Sequence, residues 1–138
     1  MRVVREGQGA TLSFATAISF PNLTLTSSIL RGTGTVTITS QLTWTGGSML
    51  DGGKTLIAAG ASGAISGGGN KDLAANRVLE KFGTLVVGGG AVFFNLSNLG
   101  GGAVINNLAG AVLEAQGEVD FANNFGSPGS AINNAGIF

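Results

Sequence analysis

Apolar and small polar residues alternate along the first half of the chain in short runs. Thr11-Leu12-Ser13-Phe14, Ala17-Ile18-Ser19-Phe20 and Asn22-Leu23-Thr24-Leu25-Thr26 each follow a period of two. That period places every second side chain on the same side of a β-strand. Pro21 removes a backbone donor between two such runs and predicts a corner. The pattern then repeats. Asn22-Leu23-Thr24-Leu25-Thr26 returns as Gln41-Leu42-Thr43-Trp44-Thr45, nineteen positions on. Ser28-Ile29-Leu30-Arg31-Gly32 reads as returning in Ser48-Met49-Leu50-Asp51-Gly52, and Thr35-Val36 in Thr55-Leu56, both twenty positions on. Ala64-Ile65-Ser66 starts a third copy with Ile65 at the Trp44 position. On this reading Leu23, Leu25, Val36, Ile38, Leu42, Trp44 and Leu56 point inward and the intervening threonines outward.

Beyond residue 70 the rhythm lengthens. Val104-Ile105-Asn106-Asn107-Leu108-Ala109-Gly110 returns as Ala131-Ile132-Asn133-Asn134-Ala135-Gly136, twenty-seven positions on. Val78-Leu79-Glu80-Lys81-Phe82-Gly83 is an earlier copy. A period of 20 to 27 carried by alternating strands predicts an all-β fold, a right-handed parallel β-solenoid of about five or six coils. Residues 1–9 read as a tail or end cap, and residues 10–138 as a single solenoid domain. Its coils are about 20 residues long to residue 67 and about 26–27 thereafter. Asn106, Asn107, Gly110, Asn133, Asn134 and Gly136 are the expected coil corners, because stacked Asn side chains bond along the axis and Gly supplies positive φ. Lys71 to Lys81 is the one helix candidate, and it also fits the repeat as a loop.

Composition supports a packed strand-rich chain. Only 10% of residues are charged, 43% are hydrophobic and 25 of 138 are Gly. Thr, Ser, Asn and Gly must therefore face the water. With no Cys and no His, disulfides, thiolate metal sites and the usual general base are absent. A formal net charge of zero gives no reason to expect nucleic acid. No apolar run is long enough for a membrane-spanning helix, so neither a nucleic-acid partner nor membrane insertion is expected. The charge is nonetheless divided. Residues 1–81 hold all seven Lys and Arg with four acids, net +3, and residues 82–138 hold Glu114, Glu118 and Asp120 alone, net −3.

The Asn-Asn phrases at 106–110 and 133–136 resemble those of large bacterial surface and secreted β-strand-repeat proteins. Leu42-Thr43-Trp44-Thr45-Gly46-Gly47 and the turn Gly67-Gly68-Gly69-Asn70-Lys71 add to the likeness, which covers residues 22–138. These proteins belong to the right-handed parallel β-helices that include filamentous haemagglutinins and autotransporter passengers. The resemblance implies an extracellular or cell-surface setting and a stalk-like or adhesive role, with a glycan or host-surface receptor as a partner. The solenoid physics adds a second partner, another copy or a neighbouring repeat stacked end to end. Val3, Val4, Leu12 and Phe14 are the candidate contacts at one end, and Ile132, Ile137 and Phe138 at the other.

No catalytic residue, cofactor site or metal site is expected. Ser48 to Thr55 imitates a phosphate-binding loop but lacks its first Gly and the helix after it. Glu118 and Asp120, two apart, could share a strand face and serve a carbohydrate-active β-helix enzyme, with Glu114 joining them as a weak cation site. Thr24/Thr26 and Thr43/Thr45 form two rungs of a Thr array, which leaves a glycan- or ice-binding face open. Trp44 reads as core, and the glycosylation-like triplets at Asn22 and Asn95 as chance.

Overall fold

The computed structural model describes residues 9–125 and 129–138. Among the described residues it contains thirteen strands and no helix. In chain order the strands are β1 (Thr11–Ser13), β2 (Ile18–Leu25), β3 (Ser28–Arg31), β4 (Thr35–Trp44), β5 (Gly47–Met49), β6 (Lys54–Ile57) and β7 (Ser62–Ser66). The second half adds β8 (Lys71–Leu73), β9 (Val78–Lys81), β10 (Thr84–Phe94), β11 (Val104–Asn107), β12 (Val112–Asn123) and β13 (Ala131–Asn134).

Every pairing between these strands is parallel, and each links a strand to the coil before or after it. One ladder runs β1, β3, β5 and β8 into the second halves of β10 and β12. Another runs from the starts of β2 and β4 through β6, β9, β11 and β13. The last runs from the ends of β2 and β4 through β7 into the first halves of β10 and β12. The chain is therefore a parallel β-solenoid, with the hydrogen bonds along its axis and the side chains alternating between interior and water.

The interior follows the alternation. Leu23 lies under Leu42, Trp44 under Ile65 and Ile105 under Ile132. Leu23, Leu42, Trp44, Ile65 and Ile105 are fully buried in one continuous core, while Ile132 packs against it from the last coil. Pro21 sits where the β2–β4 register shifts, between Phe20 and Asn22, which is where a residue without an N–H is tolerated.

Several expectations need correction, among them the corner placement of Asn106, Asn107, Asn133 and Asn134, which lie within strands β11 and β13. The period from 28 to 57 is nineteen, not twenty: Leu30 pairs with Met49, Val36 with Thr55 and Ile38 with Ile57. The cause is Gly47, which occupies a strand position over Ser28 at φ +90, where an added Cβ would lie 2.1 Å from the Ser28 carbonyl. Matching residue types aligned Ser28 with Ser48 and passed over a glycine that stands in the ladder. As a result Leu56 faces outward and is only half-buried, while Thr55 points in and is fully buried. The segment 71–81 is two strands, β8 and β9, turned by Ala75 and Asn76 at positive φ.

Asn134 answers to Asn107, but Gly136 does not answer to Gly110. Gly110, at φ +81, belongs to a four-residue turn closed by Ala111 N–H to Leu108 C=O. Its counterpart is Gly60, in the turn closed by Ala61 to Ala58. Gly136 occupies a shorter corner that nests on the preceding coil, where a Cβ would meet the carbonyls of Ala111 at 2.3 Å and Leu108 at 2.5 Å. Gly83 does the same over Ala61.

Candidate functional site: two asparagine ladders that end at an open edge

Strand β9 sets up the site with two oppositely charged neighbours on opposite sides. Alternation turns Lys81 into the interior, where it is fully buried, and leaves Glu80 half-buried outside. Asn107 and Asn134 stack on Lys81, and Asn106 and Asn133 stack on Glu80. Inside, the Lys81 ammonium donates to Asn107 Oδ1 and, at 2.6 Å, to the Val112 carbonyl. Asn107 Nδ2 then donates to Asn134 Oδ1 at 2.6 Å and to the Ile137 carbonyl at 2.8 Å. Outside, Lys54 Nζ donates to Glu80 Oε1 at 2.7 Å. Asn106 Nδ2 donates to Glu80 Oε2 at 3.3 Å, and Asn133 Nδ2 to Asn106 Oδ1 at 2.9 Å.

Among the described residues the ladders end at β13, which pairs with β11 on one side only. Ile132 is half-buried there, and Ile137 and Phe138 are 63% and 64% exposed. Asn106, Asn107, Ile132, Asn133 and Asn134 line an open groove of about 390 Å³ at this edge. At the opposite end Leu12 and Phe14 are half-buried against the core, and Phe14 packs on Phe20 with ring centroids 5.6 Å apart. Val3 and Val4, the remaining expected contacts at that end, lie outside the described residues.

Sequence reasoning missed the interior cations. Lys81 is joined by Lys71 and Arg77, both buried. Each is held by oxygen acceptors other than carboxylates. Arg77 donates to Thr55 Oγ1 at 2.9 Å and to the carbonyls of Gly32 at 3.0 Å and Lys54 at 3.2 Å, tying neighbouring coils together. Lys71 donates to the carbonyls of Gly67 at 2.8 Å and Gly69 at 2.7 Å. Burial disfavours the charged form of each. It lowers Arg77 to about 10 and Lys81 to about 8, and moves Lys71 downward as well. Asp72 is also buried, accepting the backbone N–H groups of Leu96 at 2.8 Å and Ser97 at 3.1 Å, and so pins the loop after β10.

No family model, no curated protein and no solved structure matches the chain. The geometry alone therefore carries the functional reading.

Glu114, Glu118 and Asp120 are all exposed on β12. Glu114 accepts from Gln116 Nε2 at 2.7 Å. Glu118 falls in the register shift between the Gln116 and Val119 pairings, and it and Asp120 flank Val119, which packs against the core, so both carboxylates lie on the outer side of β12. Among the described residues no three acids come together as a metal site. Thr24 lies beside Thr43, with Ala64 breaking the next rung. Thr26 and Thr45 share a hydroxyl hydrogen bond of 3.0 Å. Asn22, Thr24, Gln41 and Thr43 line a shallow groove of about 270 Å³.

Proposed function

We propose that this chain is a non-catalytic structural or adhesive module of the cell exterior, which extends by stacking further coils on its ends. The observation that carries this reading is the edge of β13, with its amide and carbonyl groups paired on one side and Ile137 and Phe138 exposed beside it. A parallel edge of this kind is a template for another strand. The likeness of the Asn-Asn phrases to bacterial surface β-strand-repeat proteins is in keeping with such a role. The +3 and −3 halves favour opposite ends meeting, by a few tenths of a kcal/mol up to ~1 kcal/mol at an exposed contact.

Light scattering and electron microscopy over a concentration series test the proposal, together with labelled peptides copying the edge strands 11–25 and 129–138. Concentration-dependent elongation or peptide capture is expected. A chain that stays monomeric to millimolar concentration and binds neither peptide would overturn it.

A second reading rests on the groove of Asn22, Thr24, Gln41 and Thr43, whose polar lining suits a glycan hydroxyl array. A glycan array compared between the wild type and a Thr24→Val/Thr43→Val variant decides it. Signals that are lost in the variant are expected, and signals unchanged by it, or absent from both, refute this reading.

A further inference from the structure

The two ladders have opposite directions, and the charges beneath them set those directions. Lys81 has only donors to offer, so Asn107 must turn Oδ1 toward it and Nδ2 toward Asn134. Asn134 accepts with Oδ1 and is left with Nδ2 for the next layer. Glu80 has only acceptors, so Asn106 turns Nδ2 toward it and Oδ1 toward Asn133. Asn133 donates inward with Nδ2 and is left with Oδ1. Among the described residues no hydrogen bond reaches Asn134 Nδ2 or Asn133 Oδ1. The amide orientations, often ambiguous in asparagine, are fixed here by the lysine and the glutamate.

From this polarity, and resting on the stacking reading above, we infer that the C-terminal edge selects a strand carrying two successive side-chain amides. The strand lies parallel to β13 in register, with an acceptor over Asn134 and a donor over Asn133. A second Asn-Asn phrase meets both demands by repeating the geometry of Asn106 and Asn107 one layer on. The chain's own N-terminal strand does not. Carried through the ladders, the register sets Ser19 over Asn133 and Phe20 over Asn134. Ser19 can donate a hydroxyl, but the Phe20 ring would bury Asn134 Nδ2 with nothing to accept its protons. An unpaired buried donor weakens association about tenfold or more, which outweighs the modest attraction between the charged halves.

The test uses a labelled peptide with the sequence of residues 129–138 and a second with Leu in place of its inward Asn, the one corresponding to Asn134. Each is titrated by fluorescence anisotropy onto the full chain and onto an Asn134→Leu variant. Asn134 is exposed, so the variant keeps the core, which unchanged Trp44 emission verifies. The wild type should bind the Asn peptide at least tenfold more tightly than the Leu peptide, and the order should level or reverse on the variant. The variant should also associate with itself about tenfold more strongly than the wild type, because Leu accepts the Phe20 ring. Equal affinity for the two peptides, or the same ratio on both proteins, overturns the selection while leaving end stacking in place. Binding of neither peptide overturns it too, and self-association of the wild type then shows separately whether stacking survives.

Discussion

Arg77 offers the sharpest test of how the coils are held together. Its side chain is fully buried and reaches Thr55 Oγ1 through both Nη2, at 2.9 Å, and Nε, at 3.3 Å, besides the Gly32 and Lys54 carbonyls. Two effects oppose each other. Hydrogen bonds from a charged donor are each worth ~1.5–3 kcal/mol, but desolvating the guanidinium costs several kcal/mol. Arg77→Ala removes the donors, strands their partners and leaves a cavity, and should destabilise by ~3–4 kcal/mol. With a urea m-value of ~1–3 kcal/mol/M, the unfolding midpoint falls by ~1–4 M. Arg77→Met keeps the volume and loses the bonds, so it should fall between wild type and Arg77→Ala. Thr55→Val removes the other partner. In a double-mutant cycle Arg77→Met and Thr55→Val should couple by ~1 kcal/mol or more, since once one partner is gone the other has less to lose. Stability changes that add to within ~0.5 kcal/mol would refute the claim that this network joins the coils, and would assign Arg77 to packing alone.

Other outcomes follow from the same interior. Burial holds the Lys81 amine at about 8 rather than 10.5. Between those values the unfolded chain binds a proton that the folded chain does not, so stability climbs as pH rises from about 8 to 10.5. The full burial penalty is present below about 8. Lys81→Met should flatten that climb in urea titrations, leaving the share due to Lys71, and an unchanged slope would count against a strained Lys81. Gly47→Ala places a methyl against the Ser28 carbonyl at φ +90 and should lower Tm sharply, whereas Gly68→Ala, which meets only open space, should leave it nearly unchanged. Thermal melts compare the two. Trp44 is the single tryptophan and is fully buried, so its emission should be blue-shifted and resist iodide quenching until global unfolding. Ready quenching in the native state would mean that the interior is open.

Much of the fold was legible because β-strand alternation and coil repetition reinforce each other at Leu23, Leu42, Trp44, Ile65, Ile105 and Ile132. Reading failed where one residue could fill a structural position without resembling its neighbour. Gly47 replaced Ser28 in the ladder and hid the nineteen-residue step. That displaced Thr55 to the outside on paper and concealed its place as the acceptor for Arg77. Lys81 was within reach. Alternation from Leu79 turns it inward, and the match of 78–83 to 104–110 already set it beneath Asn107. It was passed over because a lysine is ordinarily assigned to water. Arg77 and Lys71 carry no such signal, since each follows a turn at which strand phase is lost. The ladder of Asn107 and Asn134 could be expected from sequence, but its direction could not, because direction depends on which charge lies underneath.

The column that begins at Phe20 passes through Ile38, Ile57 and Lys81 to Asn107 and Asn134, changing from oily to charged to amide. Chains made of near-copies face a threading hazard during folding, because any coil can settle onto the wrong neighbour with its apolar contacts largely intact. A solitary ammonium in that column acts as an index mark. Displaced by one layer toward Phe20, it would sit between Ile38 and Ile57 with no side chain to accept its protons, and that misthreaded form would be disfavoured.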